Sequence, residues 1–163
     1  MERSRLVRAL PDPATAIAGA ALWAGVMAAS AAAWLAIADR LETSRTPDIL
    51  ATFALGAALA FPVALYLARL AAPGARREAR FAAAFLAFGV TTVLGVAFVY
   101  AMQYRLYYAQ WHDHFPSVVW VFQLVFTGAA AVYQFAVLGV RMFLPVGLAA
   151  LLLVSLWHAR QAR

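Results

Sequence analysis

The sequence predicts an all-α, polytopic integral membrane helical bundle, with residues 1–163 forming a single transmembrane domain. Three observations carry that prediction. Of the 163 residues, 66% are hydrophobic and 12% charged, against about 45–50% and about 25% in soluble domains, and the mean hydropathy is +0.79. Uncharged apolar stretches long enough to cross a bilayer recur along the chain. The charges gather between those stretches, and all thirteen cations are arginine.

The composition also excludes chemistry. There is no Cys, so disulfides, thiolate metal sites and cysteine nucleophiles are out. There is no Lys, so a Schiff-base cofactor has no point of attachment. The arginine-only, alanine-rich usage points to a GC-rich bacterial genome. A net charge of +6 would suit nucleic acid, but the arginines are scattered between apolar spans. They read instead as loops obeying the positive-inside rule, and no nucleic-acid partner is expected.

In order, "MERSRLVRALPDP" is a basic head closed by Pro11 and Pro13. Ala14 to Ala38 follows, 25 residues without a charge, enough to cross roughly 30 Å at 1.5 Å per residue. Ala36-Ile37-Ala38 resembles a leader cleavage site, but the apolar run exceeds the roughly 7–15 residues of a signal-peptide core. It is expected to be a retained first helix. The loop "DRLETSRTPD" ends in Thr46-Pro47-Asp48, a helix start. Ile49 to Leu70 is the second span, with Pro62 as a kink. A loop with Arg69, Arg76, Arg77 and Arg80 turns at Pro73-Gly74. Phe81 to Tyr104 is the third span, expected to continue as helix past the membrane surface through Tyr107, Tyr108 and Trp111.

From Val118 to Trp157 the chain is apolar for 40 residues, broken by Arg141. One helix of that length would measure about 60 Å. The sequence therefore predicts a fold-back at Gly139-Val140-Arg141, helped by Pro145 and Gly147. That gives five spans, 14–38, 49–70, 81–104, 118–140 and 142–157. The alternative is four spans plus a re-entrant or interfacial segment, which would bring both termini to one side. With five, eight arginines lie inside and five outside, so the N-terminus is expected in the cytoplasm of a bacterial inner membrane. Small residues four apart (Ala21, Gly25, Ala29, Ala33; Thr52, Gly56, Ala60, Ala64, Ala68; Ala83, Ala87, Thr91, Gly95) predict close helix approach in the first three spans.

All seven acids fall outside the spans, which counts against an ion-coupled carrier needing a carboxylate at membrane depth. His112-Asp113-His114 is the metal candidate by residue type, but an i, i+2 pair chelates only from a loop, and no second cluster completes a site. No metal or cofactor is expected. With Tyr104, Tyr107, Tyr108 and Trp111, the segment reads as an interfacial rim. Gln123, Thr127, Gln134 and Arg141 share one helical sector at spacings of 4, 7 and 7. Such a stripe should face a partner or ligand, and Gln103 and Arg105 join it as candidates. No hydrolase elbow, phosphate loop or carboxylate pair is present, so an enzyme is left with the His112 region alone.

"HFPSVVWVF" (His114, Phe115, Val118, Val119, Trp120, Phe122) resembles the start of the last helix of subunit III of the haem-copper terminal oxidases. The third span, "LGVAFVYAMQYRLYY", is similar to that family's third-from-last helix. Together these cover about 25 of the 163 residues. The resemblance implies five spans, no cofactor and an accessory role beside a catalytic subunit. The chain departs from the family pattern in four ways. Arg105-Leu106-Tyr107 stands where an acidic residue is expected, the His-Gly-His signature is missing, the first span has no glutamate, and the Val-Val-Trp match falls on the fourth span rather than the fifth. The sequence thus predicts a non-catalytic subunit or assembly factor of a larger inner-membrane complex, a respiratory one by this resemblance. Its partners would be membrane lipid and other membrane subunits or a second copy. The alternative is a small homo-oligomeric transporter or channel. Third stands a membrane enzyme or lipid- or quinone-binding protein using His112, Asp113 and His114.

Overall fold

The computed structural model describes residues 2–161, with side chains from Leu6 onward. The expected place of Arg163, and the side chains of Arg3 and Arg5, fall outside the described residues. The regular structure is helical throughout: α1 (Glu2–Ala9), α2 (Pro13–Ile37), α3 (Thr46–Ala71), α4 (Arg77–Ala109) and α5 (Val118–Gln134). A π-helical turn (Phe135–Gly139) and a 3-10 turn (Val140–Phe143) then lead to α6 (Val146–Arg160). Four helical stretches are long and apolar enough to cross a membrane: α2, α3, α4 and Val118–Phe143, while α6 has 15 residues.

Local chemistry sets the helix ends. The Asp12 carboxylate accepts the Thr15 amide at 2.9 Å, and Pro13 takes the first helical position, where its missing N–H costs nothing. Pro47 brings the start of α3 forward to Thr46, and the helix runs on through Pro62. Gly74, at φ +68°, makes the turn to α4 in a conformation that suits a residue without Cβ. At 33 residues α4 is the longest helix, about 50 Å. It passes Tyr104, Tyr107 and Tyr108 as expected but stops at Ala109, short of Trp111. The Ser117 hydroxyl oxygen accepts the Trp120 amide at 3.1 Å and opens α5.

The bundle is built on the α3–α4 hairpin, with α2 against α3 and α6 against α4. Two small-residue ladders explain that hairpin. A Cβ on Gly56 would collide with the Val96 backbone, and one on Gly95 would lie 2.6 Å from the Gly56 carbonyl oxygen. One core cluster joins Trp23, Met27, Phe61, Leu65 and Phe88. A second joins Ala31, Leu35, Phe53, Val96, Phe135 and Met142. The Trp23 indole N–H donates to Thr92 Oγ1 at 2.9 Å.

The chain does not fold back at Gly139–Gly147. Asp113 meets Gln123, Tyr104 and Tyr100 meet Gln134, Gly89 faces Leu151, and Arg80 meets the His158 carbonyl. Positions along α4 therefore fall steadily while positions after Val118 rise. Residues 118–160 run antiparallel to α4 without reversal, as one interrupted crossing rather than the expected spans 118–140 and 142–157. The 60 Å objection is met because Gln123 and Thr127 lie beside the loop beyond α4. What remains, residues 128–160, equals α4 in length at 33 residues. At the interruption, backbone groups released from the helix need partners inside the bundle. Ser30, 0% exposed, supplies them. Its hydroxyl donates to the Met142 carbonyl at 2.9 Å and accepts the Gly147 amide at 2.9 Å.

Both described ends of the chain thus lie with the α3–α4 turn. Eight arginines (Arg3, Arg5, Arg8, Arg69, Arg76, Arg77, Arg80, Arg160) mark this arginine-rich end. The opposite, aromatic end carries three (Arg40, Arg45, Arg105), with Arg141 at the interruption.

Candidate functional site

The aromatic end gathers the unusual side chains. On α4, the i, i+4 spacing stacks Tyr100, Tyr104 and Tyr108 along one face, with ring centroids 6.0 and 4.6 Å apart. Tyr108 and Tyr107 then reach Trp111 at 5.9 and 5.2 Å. Inward, the array continues from Tyr100 to Phe135 at 6.1 Å, then through Phe143 to Phe53. It runs from core to surface, where Tyr107 and Trp111 are exposed.

α5 lies across this array with its polar stripe turned to it. The Tyr100 hydroxyl donates to Gln134 Oε1 at 2.7 Å, and Gln134 Nε2 donates to the Tyr104 oxygen at 3.3 Å. His112 Nε2 and Thr127 Oγ1 are 3.1 Å apart. The Asp113 amide donates to Gln123 Oε1 at 2.7 Å. Gln123, Thr127 and Gln134 therefore do share one face, and that face is satisfied by the chain's own residues 100–113. The opposite face of α5, including Phe122, Val125, Phe126 and Tyr133, is exposed. Arg105 and Arg141 are also exposed and stand outside this network.

The His-Asp-His segment forms a capped turn. The Asp113 carboxylate accepts the Ser117 hydroxyl at 2.7 Å, the His114 amide at 2.8 Å and His114 Nδ1 at 2.8 Å. The Ser117 hydroxyl, then the His114 amide and ring, hold the Asp113 carboxyl below its ordinary 3.8. His112 is turned away towards α5. Among the described residues, no three His, Asp or Glu side chains come together as a metal-binding set.

Between α3, the end of α4 and the α5 interruption lies a cleft of about 550 Å³. Its floor is apolar (Phe53, Phe135, Leu138, Met142), and its polar groups are Thr52, Tyr100, Gln103, Tyr107 and Gln134. Arg45 and Asp48 pair at 3.7 Å on its exposed rim. Thr52 Oγ1 lies 2.7 Å from both the Asp48 carbonyl oxygen and Gln103 Oε1. A hydroxyl has one hydrogen to give, so the Gln103 amide satisfies both contacts only with its nitrogen turned to Thr52. Of the sequence candidates, Gln103, Tyr107 and Gln134 meet in this cleft. Thr52, Arg45 and Asp48 were not foreseen there, because Thr52 reads only as one step of a small-residue ladder and the other two as loop charges. No protein-family model, curated protein or solved structure matches the chain.

Proposed function

We propose that the chain is a non-catalytic subunit of a larger bacterial inner-membrane complex, docking through the apolar face of α5. One observation carries this reading. Residues 81–100 of α4, counted from Arg80, supply about 30 Å, the full hydrocarbon thickness. α5 packs beside residues 100–113, so its exposed Phe122, Val125 and Phe126 stand at or beyond the headgroup level. Bare apolar surface there calls for protein cover. The resemblance to subunit III of the haem-copper oxidases supports a respiratory complex. With eight arginines against three, the arginine-rich end faces the cytoplasm. Gentle-detergent purification from the native host, with mass spectrometry and a haem absorption spectrum, tests it. Phe122→Gln with Phe126→Gln should release the partners while the isolated chain stays folded and inserted. Retention of the same partners by the double variant defeats the reading.

The cleft favours a second reading, a binding protein for an amphipathic lipid-soluble molecule. An apolar floor with a few convergent amide and phenol groups is the usual make-up of such sites. Gln103→Leu with Gln134→Leu should then abolish retention of a co-purifying organic ligand and leave partner proteins in place.

A further inference from the structure

Arg141 is a cation at membrane depth. Met142, the next residue, packs in one core cluster with Val96. Val96 stands sixteen residues along α4 from Arg80, about 24 Å into a hydrocarbon core about 30 Å thick. Arg141 therefore leaves the backbone below the headgroup level of the aromatic end. Its side chain is exposed and forms no ion pair or hydrogen bond among the described residues. The break in the helix puts it there. Gln134 and Arg141 are seven residues apart, which on an unbroken α-helix brings both to one face. The π-helical turn between them closes i to i+5 bonds instead, and the residue it adds moves Arg141 off the Gln134 face. Gln134 is bonded inward to Tyr100 and Tyr104. Arg141 is left on the uncovered side with Tyr133 and Val140, both exposed. Tyr133 in turn follows Phe126 by seven residues and Phe122 by eleven, so all three lie along one face of α5.

We propose that Arg141 docks against a carboxylate, an aspartate or glutamate inside a membrane helix of a partner protein. The inference rests on the subunit reading above. Protein cover over Phe122, Phe126 and Tyr133 reaches Arg141 on the same side and shuts its guanidinium off from water. A charge so covered needs an ionised, hydrogen-bonding counterpart. This chain does not provide one, because its seven acids lie at or beyond the ends of the crossings. For the same reason a second copy in the same orientation has no carboxylate at that depth, so the partner is a different protein. A carboxylate meets the planar guanidinium with two parallel N–H···O bonds. Its own charge, equally costly inside the membrane, is offset by Arg141 in return.

The full chain is purified from the native host in a gentle detergent, and its partners are quantified by mass spectrometry. Arg141→Leu should weaken their retention about thirtyfold or more, the usual effect of removing one member of a buried charged pair. Arg40→Leu removes the same charge from the exposed loop between α2 and α3 and should leave the partners in place. An equal loss in the two variants would mean diffuse attraction and no docking pair. Because Arg141 is exposed, the isolated Arg141→Leu chain should melt with the parent; a lower melting temperature makes Arg141 part of the fold instead. The partner that Arg141→Leu releases should carry an Asp or Glu within a membrane span, and a partner with none overturns the inference. Unchanged retention in Arg141→Leu overturns it too, and a loss of bound anionic lipid in that variant assigns the cation to headgroups. In either case release by Phe122→Gln with Phe126→Gln leaves the subunit reading standing. A parent chain that carries no membrane partner defeats both.

Discussion

Ser30 is the residue on which the interrupted crossing depends. It bonds a carbonyl and an amide five residues apart, on a segment 112–117 positions away in sequence. Ser30→Ala would leave both unpartnered in a fully buried setting, a loss of about 1–3 kcal/mol, read as a lower melting temperature in detergent. An unchanged melting temperature would show that the staple is dispensable. Nothing in the sequence sets Ser30 apart from the other serines, since its partners are backbone atoms exposed only by a break elsewhere. Asp113, by contrast, stood out in sequence, though for metal chemistry rather than for capping. Its carboxyl is depressed by Ser117 first and His114 second. The order it lends the turn is therefore complete above the ordinary carboxylate value of 3.8. That order is lost as pH falls through the lower, folded value. Fluorescence of Trp111 and Trp120, which flank the turn, should hold steady to that point and then change. A transition centred above the ordinary value, or one unaltered in Asp113→Asn, would contradict this.

At the scale of elements, the three small-residue ladders look alike in sequence and differ in use. Those of α3 and α4 meet backbone to backbone, whereas Gly25 on α2 has nothing within 4 Å of a would-be Cβ. Gly56→Ala should force α3 and α4 apart at a cost of about 1–3 kcal/mol. Gly25→Ala should be neutral or stabilising, by up to about 1 kcal/mol, since alanine is the better helix former. Thermal unfolding of the two variants side by side decides it, and the same shift in both would mean that neither ladder is packed as described. Periodicity revealed which residues share a face, but not what that face meets. The same limit applies to α5. The Gln123–Thr127–Gln134 stripe was legible, while its inward direction depends on how the 110–117 loop lies beside it.

For the whole molecule, the helical bundle and its first three crossings were legible because long apolar runs admit little else. The course of residues 118–160 was not, because forty apolar residues suit either two crossings or one interrupted crossing that overshoots its neighbour. The four-span alternative, with a re-entrant segment, shares with the observed course only that both termini lie on one side, and that course leaves four acids with three arginines at the aromatic end. Cysteines placed at Ala75 and Gln161 should label from one side of sealed cells and one at Ser117 from the other. Labelling of Gln161 together with Ser117 would restore the fold-back. The interruption also has a mechanical consequence. α6 is gripped by α2 and α4, whereas α5 rests on α4 and the loop beyond it, and Ser30 sits at their junction like a fulcrum. A rod of 17 residues is about 25 Å long, so a swing of about 10° carries its tip through about 4 Å. The lower end of that rod, at Gln134, is one wall of the cleft. The far tip at Val118 therefore moves most and the cleft wall beside the pivot least, and any such swing must release the bonds of Gln123, Thr127 and Gln134 to residues 100–113.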